Sequence, residues 1–172
     1  NPYLKPWTQT NMNENQESWG QEDLDHFNLK TVDYVNSVNK IFLDEYKIDG
    51  FRFDAGRYIG WDLDQPEYGL KAWTDALHQY DNNVIQIIEY LPSDPWLTNI
   101  LNISSSWHDS FHDRIKMDAH NQYNSTTDLM RQVIGLHEYS NVSTPYQNRN
   151  QAIKYMISHD EQSLIQELVE FD

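Results

Sequence analysis

The sequence predicts an α/β fold built on parallel strands. Two apolar, strand-like stretches stand about 35 residues apart, at residues 50–54 and 84–89. Helix-like periodicity fills the stretches before and between them. Acidic residues recur where the strands should end, at Asp54, Glu89 and Asp160. Strands alternating with helical patterns mark βα units and a parallel sheet.

Residues 1–25 are polar, with Trp7 and Trp19 among many Asn, Gln and Glu, and read as an irregular loop. Residues 29–46 read as a helix, with Val32, Val35, Val38, Ile41 and Phe42 at three- and four-residue steps. Residues 47–50 turn the chain into the first strand, Gly50-Phe-Arg-Phe-Asp54. Strand residues alternate faces. Phe51 and Phe53 should therefore face helices, and Arg52 and Asp54 the other side. There a guanidinium beside a carboxylate favours the ionised acid. A register-fixing ion pair is the plainer alternative.

Residues 59–66 read as a loop and 67–80 as a second helix, with Leu70, Trp73 and Leu77 on one face. The turn at 81–83 leads into Val84-Ile-Gln-Ile-Ile-Glu89. This nearly continuous apolar run suggests a strand covered on both faces, with Glu89 in phase with Ile85 and Ile87. Ser93-Asp94-Pro95 signals a helix start running through Leu97, Ile100 and Leu101. A weak, Ser-rich third strand is placed within 104–111, a helix over 128–139, a fourth strand within 151–158 and a last helix from 163.

The 172 residues suit one domain. The chain begins without Met and ends within a helix-like pattern, so it is expected to be a piece of a larger protein. A net charge of −15 argues against nucleic acid or an anionic membrane as partner. No Cys is present, so neither a disulfide framework nor a thiolate metal site is expected. No signal peptide is visible, and the expected setting is extracellular or periplasmic rather than cytoplasmic.

Aromatic residues are abundant, which suits sugar stacking as well as core packing. Trp61, Trp73, Trp96 and Trp107 are read as packing, and Tyr58 as the better sugar platform. His108 and His112, four residues apart, could share a metal on a helix. Without a helical pattern around them, they are read as part of a polar loop.

Asp54, Glu89 and Asp160 at one end of a parallel sheet suit glycoside hydrolysis, which needs a nucleophile and an acid. Arg52 would keep Asp54 ionised as nucleophile. An apolar wall of Ile85, Ile87 and Ile88 would favour protonated Glu89 as acid. Asp160 could bind sugar hydroxyls, with His159 donating a hydrogen bond beside it. From Asp54 to Glu89 is 35 residues, about one βα unit, and from Glu89 to Asp160 is 71, about two.

Three stretches carry a resemblance. Gly50-Phe-Arg-Phe-Asp-Ala55, the Glu89 strand end and Ser158-His-Asp160 resemble, in order and spacing, three blocks of the α-amylase family of retaining glycoside hydrolases. Asp23-Leu-Asp-His-Phe-Asn28 resembles the lead-in to the first block. The resemblance implies a (β/α)8 TIM barrel acting on α-linked glucans, of which this chain covers about the fourth to seventh strand–helix units. Residues 1–28 would be a loop or the tail of an inserted subdomain, and 29–172 a partial catalytic barrel. The remaining barrel would flank the chain on both sides.

By position, Asp54 resembles the nucleophile, Glu89 the acid/base and Asp160 the transition-state stabiliser. Arg52 and His159 match substrate-contacting partners of these groups. Arg57 stands where the family often has a basic residue contacting the sugar beyond the cleavage point. Tyr58 replaces a frequent His. The family's earlier Asp and Asn-His block is absent, and calcium, if bound, would take its ligands mostly from outside this chain. Glucosyl transfer, isomerisation and binding of carbohydrate without catalysis are the alternatives, and a metal-dependent hydrolase using His108 and His112 is another.

Overall fold

A computed structural model describes residues 4–6, 22–91, 94–120 and 146–170. The chain divides into two compact units, residues 1–89 with 101–103, and residues 90–100 with 104–172.

In the first unit, β1 (Leu4–Pro6) and β2 (Glu22–Leu24) pair antiparallel, with Lys5 opposite Asp23. This ladder lies in a segment expected to be irregular. Its three-residue strands carry no readable alternation. The helix α1 (Leu29–Asp44) starts where the Asn28 side chain accepts a hydrogen bond from the Lys30 amide at 3.0 Å. That satisfies one of the orphan donors of the first turn. Val32 is buried on α1, but Ile41 and Phe42 are exposed, so the expected apolar stripe is covered only near its start.

The strand β3 (Gly50–Phe53) is followed by a short helix α2 (Gly56–Ile59), which ends where the expected loop begins, and by α3 (Gly69–Tyr80). Leu70, Trp73 and Leu77 are buried along α3, as their spacing predicts. Trp73 is thus a packing residue. Burying Leu70 fully is worth about 1.5–3 kcal/mol relative to exposure. The strand β4 (Ile85–Ile88) pairs parallel with β3, placing Phe53 beside Ile88.

The burial of β4 corrects the sequence reading. Val84, Gln86 and Ile88 are buried, whereas Ile85 is 48% exposed. One face is covered and the other is open. Gln86 sits on the covered face because its amide nitrogen donates to the Thr74 carbonyl at 3.1 Å. A buried polar group is tolerated when it finds such a partner.

In the second unit, α4 (Leu97–Ile100) is one turn long, and the Trp96 amide donates to Asp94 Oδ1 at 3.0 Å just before it. The strand β5 (Ser105–Trp107) leads into α5 (Asp109–Ala119), where a polar loop was expected. A 3₁₀ turn (Arg149–Gln151) precedes β6 (Ala152–Ile153), which pairs parallel with β5. The strand expected across 151–158 is therefore only two residues long, and Met156 and Ile157 are exposed. The last helix is α6 (Leu164–Glu170). The helix expected over 128–139, and Ser93 of the expected helix start, lie outside the described residues.

Both units are α/β with parallel strand pairs. Among the described residues, no helix is long and apolar enough to cross a membrane.

Candidate active site

Three of the sequence-predicted residues meet in the first unit. Asp54 is the residue after β3 and Glu89 the residue after β4. The parallel register of Phe53 with Ile88 sets them side by side at the C-terminal ends of neighbouring strands. Such ends are where parallel α/β folds gather chemistry.

Arg52 joins them. Its Nη1 lies 2.5 Å from Asp54 Oδ1 and its Nη2 lies 3.0 Å from Glu89 Oε1. One planar fork thus engages two carboxylates, a geometry guanidinium permits and ammonium does not. The environments differ sharply. The Asp54 side chain is 72% exposed and that of Glu89 14%. One carboxylate is open to an incoming molecule, while the other is enclosed.

The enclosure comes from the turn after β3. The Ala55 amide donates to Glu89 Oε2 at 2.8 Å, and the Gly56 amide donates to the Glu89 carbonyl at 2.8 Å. Ala55 adopts a left-handed conformation, φ 47° and ψ 41°. A residue with a Cβ pays about 1–2 kcal/mol for that backbone. The strained residue sits directly between Asp54 and α2, where it turns its amide onto Glu89. The expected apolar wall around Glu89 is therefore a polar cradle, a guanidinium on one oxygen and a backbone amide on the other. Sequence periodicity does not report a backbone donor, so this contact has no sequence signal.

Arg57 and Tyr58 follow on α2, both half-buried, and the Tyr58 amide donates to the Ala55 carbonyl at 2.8 Å.

His159 and Asp160 lie in the second unit. They were expected at the end of a long strand. Because β6 stops at Ile153, they stand in a loop six and seven residues further on. His159 Nε2 is 2.9 Å from Asp160 Oδ2, and both side chains are more than half exposed. The Asp160 amide donates to Ser158 Oγ at 3.1 Å, which shapes the loop locally.

His108 and His112 belong to separate surroundings. His108 occupies the position just before α5 and packs edge-on against Tyr146, with ring centres 5.6 Å apart. His112 stacks on Tyr155 at 5.3 Å. Among the described residues, no three His, Asp or Glu side chains are grouped to hold a metal ion. The expected polar loop is replaced by α5.

A cavity of about 500 Å³ opens at the N-terminal ends of β3 and β4, lined in part by Asp44, Lys47, Tyr80 and Ile85. It is at the opposite end of these strands from Asp54 and Glu89 and is separate from the carboxylate cluster.

No protein-family model matches the chain, and no curated protein matches it either. A solved structure does: that of pullulanase complexed with maltotetraose from Anoxybacillus sp. LM18-11, with a TM-score of 0.56 and 18% sequence identity. The match covers 87% of this chain and 23% of that one, so the chain spans about a quarter of that protein's length. At this identity the likeness is one of fold, and it marks the chain as an α/β fold distantly similar to part of pullulanase.

Proposed function

We propose that the chain is the central part of a (β/α)8 catalytic barrel in a retaining glycoside hydrolase of the α-amylase kind. Residues 29–172 supply about the fourth to seventh units of the barrel, residues 1–28 lead into it, and flanking sequence on both sides completes it. The substrate is an α-glucosidic bond in a starch-like glucan. The observation that carries this reading is the Arg52 fork on Asp54 and Glu89, at the ends of neighbouring parallel strands. The fold likeness to a pullulanase holding maltotetraose supports the same substrate class.

The roles follow the family resemblance, and exposure separates the two carboxylates. Exposed Asp54 attacks the anomeric carbon as nucleophile while the glycosidic C–O bond breaks. Enclosed Glu89 gives its proton to the departing oxygen. The product is a covalent glycosyl-enzyme ester on Asp54. Glu89, now a base, takes a proton from water, whose oxygen attacks the same carbon and frees Asp54. Two inversions give net retention.

Asp160, with its charge beside the sugar, stabilises the cation-like transition state. His159 donates a hydrogen bond to a sugar hydroxyl. Arg57 and Tyr58 contact the sugar beyond the cleavage point. No step runs through calcium, and any calcium in the complete protein would take its ligands mostly from outside this chain. The proposed setting is extracellular or periplasmic, where a polymeric glucan too large to cross a membrane would have to be cut.

Retention is tested by proton NMR of the first product released from a maltooligosaccharide by the complete protein. The α-anomer is expected to appear first. The β-anomer appearing first would overturn the covalent mechanism. Products longer than the substrate would instead show glucosyl transfer.

A further inference from the structure

His112 is used by nothing described so far, yet it is one of the most tightly held polar side chains in the second unit. Its side chain is 4% exposed and stacks on Tyr155 with an interplanar angle of 11°. Tyr155 is held in turn. Its hydroxyl donates to Asp109 Oδ1 at 3.1 Å, and its ring packs 4.9 Å from Trp107. The imidazole is therefore fixed by α5, which carries it, and by the chain just after β6.

Both ring nitrogens point at one segment. Nδ1 lies 2.9 Å from the Met156 carbonyl oxygen. A carbonyl can only accept, so Nδ1 carries the proton and donates. Nε2 lies 3.3 Å from Glu161 Oε2, an ion pair when the ring is doubly protonated. Met156 and Glu161 are the two shoulders of the loop that carries His159 and Asp160. The loop between them is exposed, and β6 ends too early to hold it.

We infer that His112 is a positioning residue that holds the 156–161 loop at its Met156 shoulder, with Glu161 close by at the other, and thereby sets His159 and Asp160. This inference rests on the function proposed above for that pair. A misplacement of about 1 Å at a reacting centre can cost about a hundredfold in rate. A loop released at its Met156 shoulder is expected to show such an effect on turnover more than on substrate affinity.

The test uses the complete protein as wild type, Asp54→Asn, His112→Phe, His112→Asn and Glu161→Gln. Amide hydrogen exchange over 156–161 is measured beside kcat and KM on soluble starch. In H112F, which keeps a ring against Tyr155 but has no donors, exchange is expected to rise about tenfold and kcat to fall about ten- to a hundredfold, with KM within about threefold. H112N can place its amide near the Nδ1 position and is expected to restore most of both. E161Q is expected to lose less than H112F.

Wild-type exchange and kcat in H112F would overturn the inference. So would a lowered melting temperature with unchanged exchange at 156–161, which is the signature of packing alone. If H112F does not fold, His112→Leu, which also lacks donors, decides it, and wild-type exchange and kcat in that variant overturn the inference. If wild type releases nothing from starch, or D54N equals it, the proposed function falls, while the exchange data still decide whether His112 holds the loop.

Discussion

Arg52 shows how much of the candidate site depends on one side chain. A guanidinium presents two parallel donors in a plane, and here each meets a different carboxylate. Lysine keeps the charge but presents it as a point on a flexible stem. Arg52→Lys is therefore expected to lower kcat/KM by about ten- to a hundredfold while the far-ultraviolet circular dichroism stays that of wild type. Activity within about twofold of wild type would show that the fork itself is unimportant.

Asp109 gives a pH-dependent prediction. Burial pushes its carboxyl above the ordinary value of 3.8, and the neighbouring Asp113 charge adds to that, partly offset by the Tyr155 hydrogen bond. A raised folded value means the folded state favours the neutral acid. That contribution to stability is present at low pH and is lost as pH rises through the raised value. At pH 7 the ionised group is thus a net cost. Asp109→Asn keeps an acceptor for the Tyr155 hydroxyl and removes the charge. Its melting temperature is expected to exceed that of wild type at pH 7. The gap is expected to close as pH falls below 3.8. A gap that grows on acidification would contradict this account.

At the scale of elements, the first unit was largely legible. Leu70, Trp73 and Leu77 mark α3 because their spacing matches a helix face that is buried. The strand ends at Asp54 and Glu89 were legible too, because a charge closing an apolar run has few places to sit. The helix α5 was not legible, since its buried residues are His112 and Arg114 rather than an apolar stripe. Its covered face is stabilised by partners distant in sequence, such as the Met156 carbonyl for His112. The sequence 152–157 failed in the opposite sense, being apolar apart from Lys154 although only two residues pair.

Gly50 shows how a correct residue can be read for the wrong reason. The sequence suggests a turn glycine, but the left-handed residue there is Lys47, with φ 55°. Gly50 is the first residue of β3, opposite Ile85. A Cβ at that position would fall 2.1 Å from the Ile85 carbonyl oxygen. That oxygen belongs to backbone and cannot rotate away. Gly50→Ala is expected to destabilise the fold by about 2 kcal/mol or more, read as a lowered denaturation midpoint. A midpoint equal to wild type would mean that β3 and β4 separate at little cost.

At the scale of the whole molecule, the open face of β4 and the match to about a quarter of the pullulanase chain point the same way. Ile85 is 48% exposed on a strand whose sequence is apolar on both faces, so among the described residues this face has little cover. The account therefore places activity in the complete protein. Its central claim is that Asp54 is the nucleophile of an α-glucan hydrolase. The most direct measurement is reducing-sugar release from soluble starch and from pullulan by the complete protein, beside its Asp54→Asn variant. The account predicts release from at least one glucan that is lost in the folded variant. Near-full release by the variant, or silence of folded wild type on both glucans, would contradict it.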